Sequence, residues 1–181
     1  DLLIIAFALG KTAAGVYSPA LSLVNALFFI PGAVHSVMIP VLRRLYQTNL
    51  SQARRTTWRS LALHGAIGIG MGAGLLALTP WVVRFLGESY SASLPLLRIF
   101  SLLLVFKAIS FGFAALLVAT RQQARRVVVQ ALAAVLNILL NLMVVYSFGL
   151  PGVAWVYVIT EAITMLGYGW LAWRTRPALN P

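Results

Sequence analysis

The chain has 181 residues, 61% of them hydrophobic and 9% charged, with a mean hydropathy of +0.91. A soluble domain holds about 45–50% apolar and about 25% charged residues, so the composition excludes one and points to a polytopic protein in the lipid bilayer. The net charge of +11 does not imply nucleic acid as a partner, because the basic residues fall in short gaps between apolar segments rather than on one soluble face.

A transmembrane helix needs about 20 mostly apolar residues. In chain order the sequence predicts a partial span at Asp1–Leu9, then complete spans near Tyr17–Leu42, Ser60–Thr79, Leu94–Ala119, Val127–Phe148 and Val153–Trp173. The expected fold is an all-α polytopic transmembrane helix bundle with about five complete helices and one truncated helix. The first residues, "DLLIIAFALG", lie inside an apolar run with no charged segment before it and no small-residue cleavage site after it. They read as a fragment starting mid-helix rather than a signal peptide.

Basic residues set the orientation, since cytoplasmic loops are enriched in them. Arg43, Arg44, Arg54, Arg55 and Arg59 follow the second span, Arg121, Arg125 and Arg126 follow the fourth, and Arg174 and Arg176 lie in the tail. All fall on one side of the membrane, and the other side carries only Lys11 and Arg84. The partial helix therefore runs outward and the C-terminal tail is cytoplasmic. Trp58, Tyr46, Trp170 and Trp173 are expected at the inner interface, and Tyr17, Trp81, Tyr90 and Trp155 at the outer one.

Three ionisable residues interrupt this pattern. Lys107 is at the middle of "LLLVFKAISFGF", Glu161 lies near the middle of the last span, and Asp1 is near mid-depth in the partial one. A charge at the bilayer centre costs roughly 2.5–3.5 kcal/mol or more, so all three must face protein or a wet cavity and find partners. Tyr157, Glu161, Thr164 and Tyr168 share one helix face, as do Gln130, Asn137 and Asn141. In lipid such stripes turn inward, either as interhelical glue or as a cavity lining. Substrate or ion passage is assigned to Lys107, Glu161, Asp1, Asn137, Asn141 and Gln130. Pro31 and Pro40 interrupt the second span, where each removes a backbone hydrogen bond, giving a hinge or a static kink.

Other chemistry is poorly represented. "GAIGIGMGAG" lacks the spacing of a phosphate-binding loop, and its glycines suit close helix packing. His35 and His64 lie on different spans without metal-ligand spacing, and no Ser/His/Asp arrangement can be assigned. With no cysteine, the chain has no disulfide and no thiol nucleophile. No enzyme chemistry, metal or cofactor is expected, and the charged pair at membrane depth favours transport.

The opening "DLLIIAFALGKTAAGVYSPALSLVNALFFIPGAVHSVMIPVLRRLY" resembles the seventh and eighth helices of polysaccharide (O-antigen type) flippases. Asp1, the "AAGVYSPA" turn and Pro40 at the cytoplasmic end carry the likeness. Leu86, Gly87, Tyr90 and Ser93 resemble the family's outer loop. Asn137 and Asn141, then Gly149 and Gly152, then Glu161 resemble helices eleven and twelve and the turn between them. The resemblance implies the multidrug/oligosaccharidyl-lipid/polysaccharide exporter superfamily, whose members have two six-helix lobes around a central cavity. Residues 1–181 would be the C-terminal lobe, with the N-terminal lobe missing. The implied substrate is an undecaprenyl-diphosphate-linked oligosaccharide, flipped across the inner (plasma) membrane for polysaccharide biosynthesis. Alternatives are a lipid II flippase, a multidrug extruder of the same superfamily, or a non-transporting subunit of a polysaccharide-synthesis complex.

Overall fold

The computed structural model describes residues 1–86 and 88–174, and it is helical from end to end. Helices α1 (Leu2–Ala8) and α2 (Gly10–Leu27) meet at Gly10, whose φ of +88° lies in the left-handed region that glycine enters without steric cost. The "AAGVYSPA" segment is therefore not the turn: it lies inside α2, which runs through Pro19. Helix α3 (Phe29–Thr48) follows after a break at Phe28. The break falls one turn before Pro31, which has no N–H to offer the carbonyl of Leu27. The Phe28 amide is shared between Val24 O at 3.3 Å and Asn25 O at 3.2 Å. The expected Tyr17–Leu42 span is thus interrupted in its hydrogen bonding at Phe28, whose backbone stays helical, so that α2 and α3 run as one long span, Gly10–Thr48. Pro40 sits inside α3 without ending it.

Asn49, extended at φ −152°, is all that separates α3 from α4 (Leu50–Leu86). Its side-chain oxygen accepts from the Gln52 amide at 3.0 Å and the Ser51 hydroxyl at 2.8 Å, capping the new helix. Arg43, Arg44, Arg54, Arg55 and Arg59 are exposed on the ends of these two helices rather than in a loop. The helices simply continue past the apolar segments that hydropathy detects. A short 3-10 helix, Glu88–Ser93, leads into α5 (Leu94–Ala119), where the observed bounds match the expected span. Gly87 of the outer-loop likeness and Arg176 of the tail lie outside the described residues.

Helix α5 is the axis of the bundle. It is apolar on every side, as a helix surrounded by others must be, and it packs against α3, α4 and α6. Against α4 the backbones nearly touch. A methyl group at Gly72 would sit 2.7 Å from the Ser101 carbonyl oxygen, and one at Gly68 would sit 2.9 Å from the Ala108 Cβ. We expect Gly72→Ala to force α4 and α5 apart and to cost about 1–3 kcal/mol as overpacking does. Gly70→Ala, with nothing within 4 Å, should be neutral or slightly stabilising. Thermal unfolding of the two purified variants checks this, and equal midpoints would refute the close-packing role.

Helix α5 ends with Arg121 at φ 61°, where the Gln122 amide bonds back to Leu117 O at 2.7 Å and the Arg121 amide to Val118 O at 3.1 Å. This helix-terminating pair turns the chain sharply into α6 (Gln123–Arg174). Helix α6 is one element by hydrogen bonding but two by geometry. Gly149, at φ 56° and ψ −148°, occupies backbone space that is essentially glycine's alone, and it divides α6 into arms 123–148 and 150–174. The arms fold back antiparallel: Gly152 lies against Val144, Thr160 against Asn137, and Gly167 against Val129.

Among the described residues, four helical segments are long and apolar enough to cross a membrane: Gly10–Thr48, Leu50–Trp81, Ser91–Ala119 and Gln123–Arg174. Each arm of the last exceeds the about 20 residues a crossing needs. The chain is a multi-pass membrane protein. Trp58, Trp81, Trp155, Trp170 and Trp173 are exposed, as interface aromatics should be, and Arg174 stacks on Trp170 at 4.2 Å. The Tyr90 side chain lies outside the described residues, Tyr46 is half-buried, and Tyr17 departs furthest from the expectation. It is wholly buried, edge-on to Phe100 at 5.6 Å, in the cluster that ties α1, α2, α5 and both arms of α6 together. That position follows from α2 beginning at Gly10, which places Tyr17 two turns inside the helix.

Candidate functional site

A cavity of about 670 Å³ opens between α1, α2, α5 and the two arms of α6. It exists because the sequence places small side chains where large ones would fill the gap. Ser110 and Ala114 on α5 face Ala133 and Ala134 on the first arm of α6. The polar stripes of the two arms line what remains: Gln130 and Asn137 on the first, and Tyr157, Glu161, Thr164 and Tyr168 on the second.

The central contact is ionic. Lys107 Nζ donates to Glu161 Oε2 at 2.8 Å, joining α5 to the second arm of α6. The Lys107 side chain keeps 29% of its surface exposed to the cavity, whereas Glu161 keeps 6%. The ammonium also lies 5.9 Å from the centre of the Phe28 ring, at the junction of α2 and α3. The other oxygen, Glu161 Oε1, is buried with no partner among the described residues. One face of the lysine is therefore locked to a carboxylate and another is open.

A neutral chain of hydrogen bonds runs beside this pair. Asn141 Nδ2 donates to Asp1 Oδ1 at 2.7 Å and to Asn137 Oδ1 at 3.0 Å, and Asn137 Nδ2 donates to Thr160 Oγ1 at 3.1 Å. Thr160 in turn donates to the Val156 carbonyl one turn earlier. Tyr168 closes the far end with a bond to Gln130 Oε1 at 3.4 Å. Asp1 has an amide partner but no cation among the described residues.

Of the residues singled out from the sequence, Lys107, Glu161, Asp1, Asn137 and Gln130 line this one cavity. Asn141 is fully buried behind it, bonded to two of them. Pro31 and Pro40 are elsewhere on α3, the first buried and the second exposed. His35 and His64 each spend Nδ1 on a backbone carbonyl, Phe111 O at 2.8 Å and Ser60 O at 2.7 Å.

Four polar lining residues escaped the sequence reading, Ser110 on α5 among them. Thr160 adjoins Glu161 in the chain and lies one turn from Thr164, so the second-arm stripe already pointed to it. Asn25 is a lone amide in an apolar run. Arg126 belongs by sequence to the inner-side basic cluster, yet it lines the cavity. Its signal was its place four residues before Gln130, one turn further along the same stripe.

The arrangement offers a fixed ammonium, two carboxylates and a row of amides and hydroxyls within helices of membrane-spanning length.

No curated protein and no solved structure matches the chain. The profile described as polysaccharide biosynthesis protein matches residues 1–95, which includes Asp1 but ends before Lys107 and Glu161. With that match spanning more than half of its length, the chain belongs to the polysaccharide biosynthesis protein family.

Proposed function

We propose that the chain is the C-terminal lobe of a flippase that carries an undecaprenyl-diphosphate-linked oligosaccharide across the inner (plasma) membrane by alternating access. The observation that carries the reading is the Lys107–Glu161 pair at the edge of a polar cavity between apolar helices. A buried ion pair is poor stabilisation, because the desolvation of two charges offsets their attraction. Its retention is better explained by exchange. A diphosphate oxygen replaces Glu161 on the ammonium, so one ion pair is traded for another at little net cost. Lysine suits this because its ammonium is a compact charge with three donors on a flexible stem.

Size supports the same substrate. Pockets of about 300–1,000 Å³ hold ligands of drug size, and a cavity of about 670 Å³ falls in that range. It would admit a diphosphate with its first sugars while the polyprenyl chain stays in the lipid. A second lobe would close the open side, as the resemblance to two-lobed exporters implies. Of the two cavity carboxylates, Asp1, with an amide but no cation beside it among the described residues, is the one through which transport would couple to H+ or Na+.

The reading requires a defined orientation. In the intact transporter, cysteines introduced at Ser51 and Gln123 should react with an impermeant reagent only from the cytoplasmic side, and one at Ser91 only from outside. Labelling of Ser51 from outside would reverse the orientation and the direction of transport with it. The function itself is tested by complementation: cells lacking the transporter should regain surface polysaccharide with the wild-type chain restored to its full transporter. Restoration by a chain carrying both Lys107→Leu and Glu161→Gln would favour a non-transporting assembly role instead.

A further inference from the structure

Arg126 is a cationic cavity residue that the exchange at Lys107 does not use. It lies in the first turn of α6, its Nε is buried, and that atom donates to no group among the described residues. Neither cavity carboxylate compensates it, since Glu161 is held by Lys107 and Asp1 by Asn141. An arginine stays charged under all ordinary conditions. The cavity thus contains one neutralised cation, Lys107, and one that is not.

The two cations sit at different depths. Gln130, one turn after Arg126, bonds to Tyr168, and Tyr168 is two turns from Glu161 on the second arm. At about 1.5 Å per residue, the Arg126 backbone lies roughly 15 Å along the helix axis from that of Glu161, toward the end that carries Arg121 and Arg125. The two cations therefore reach into the cavity from different levels, Arg126 from the level nearer that end.

We infer that Arg126 is an entrance-level phosphate-binding residue, which takes the anion first at the arginine-rich mouth of the cavity before it reaches Lys107. This rests on the flippase reading. The guanidinium presents a planar fork that grips phosphate through two parallel hydrogen bonds. Neighbouring arginines raise the local concentration of anions at the mouth, which speeds association and makes it salt-dependent. Because Arg126 carries no internal counter-charge, the incoming phosphate has no ion pair to break there. At Lys107 it must displace Glu161. The order of engagement follows from that difference.

The test uses the full-length transporter in phosphatidylcholine nanodiscs, with farnesyl diphosphate and inorganic pyrophosphate as probes. Arg126→Gln should weaken farnesyl diphosphate binding about tenfold, the effect of losing one charge-assisted contact, and Arg126→Lys should recover most of it. Arg126→Gln should also slow association and flatten its dependence on salt, which a merely structural residue would not do. An unchanged thermal midpoint in Arg126→Lys keeps the comparison free of misfolding. If Arg126→Gln binds like wild type while Lys107→Gln does not bind, the entrance role is wrong and the flippase reading stands. If wild type binds neither probe, both fall. If added phosphatidylglycerol abolishes the difference between Arg126→Gln and wild type, the arginine serves phospholipid headgroups and the entrance role is overturned.

Discussion

Lys107→Ala in the full transporter abolishes most surface polysaccharide while the protein remains inserted in the membrane. Glu161 is 6% exposed and Lys107 is its only cation among the described residues. Removing one partner of a buried pair costs about 3–5 kcal/mol, because the other charge stays desolvated. Some loss of activity in the single variant could therefore reflect loss of stability. Combining Lys107→Ala with Glu161→Gln removes the stranded charge and restores much of that stability. If Lys107 recognises the diphosphate, the double variant is stable and still inactive. If it serves only to neutralise Glu161, the double variant recovers transport. Lys107→Arg should keep part of the activity, since charge persists while the geometry around Glu161 Oε2 and the Phe28 ring changes. Surface polysaccharide, read beside protein level and thermal midpoint, separates these cases. Wild-type polysaccharide from Lys107→Ala alone would make the lysine structural.

The parts of this site that were legible in the sequence are those where chemistry conflicts with location. A lysine in "LLLVFKAISFGF" and a glutamate within the last apolar span are costly in lipid, and the same cost drives them to meet at 2.8 Å. The stripes of Gln130, Asn137 and Asn141 and of Tyr157, Glu161, Thr164 and Tyr168 were legible because helix periodicity fixes a face. Hydropathy located α5 to the residue, since both of its ends coincide with a change in polarity.

It failed where helices outlast the apolar region. Arginine is a good helix former, so α3 and α4 run on through Arg43, Arg44, Arg54, Arg55 and Arg59 with only Asn49 between them. The same assumption, that basic residues between spans belong to loops, hid Arg126 inside the cavity. Around Tyr17 the error was one of punctuation. Pro19 attracts attention as a breaker, but a helix tolerates a bend there, and the true turn is made by Gly10 at positive φ. The result puts Tyr17 in the core rather than at the interface.

Asp1→Asn removes the dependence of transport on the ion gradient, while Glu161→Gln lowers transport but leaves that dependence in place. The two carboxylates differ in what compensates them. Glu161 is paired with Lys107, so its charge is already balanced in the resting cavity. Asp1 receives a single hydrogen bond from an amide, Asn141 Nδ2, and has no cation among the described residues. Asp1 is half-buried on the cavity wall, where it is open to exchange with ions. In the proposed transporter it takes the coupling ion, H+ or Na+, and a gradient of that ion biases the protein between its two access states. Asparagine keeps the shape and the bond to Asn141 but needs no counter-ion, so the variant should transport at one rate whichever way the gradient runs. In Glu161→Gln the unpaired Lys107 holds the diphosphate more tightly and releases it more slowly, which reduces turnover without touching Asp1. The measurement is flipping of a lipid-linked glycan by the full transporter in proteoliposomes, with pH and sodium gradients imposed separately. Whichever gradient accelerates wild type identifies the ion. Gradient dependence lost in Glu161→Gln and kept in Asp1→Asn would move the coupling site to the glutamate, leaving Asp1 as an anchor for the first arm of α6.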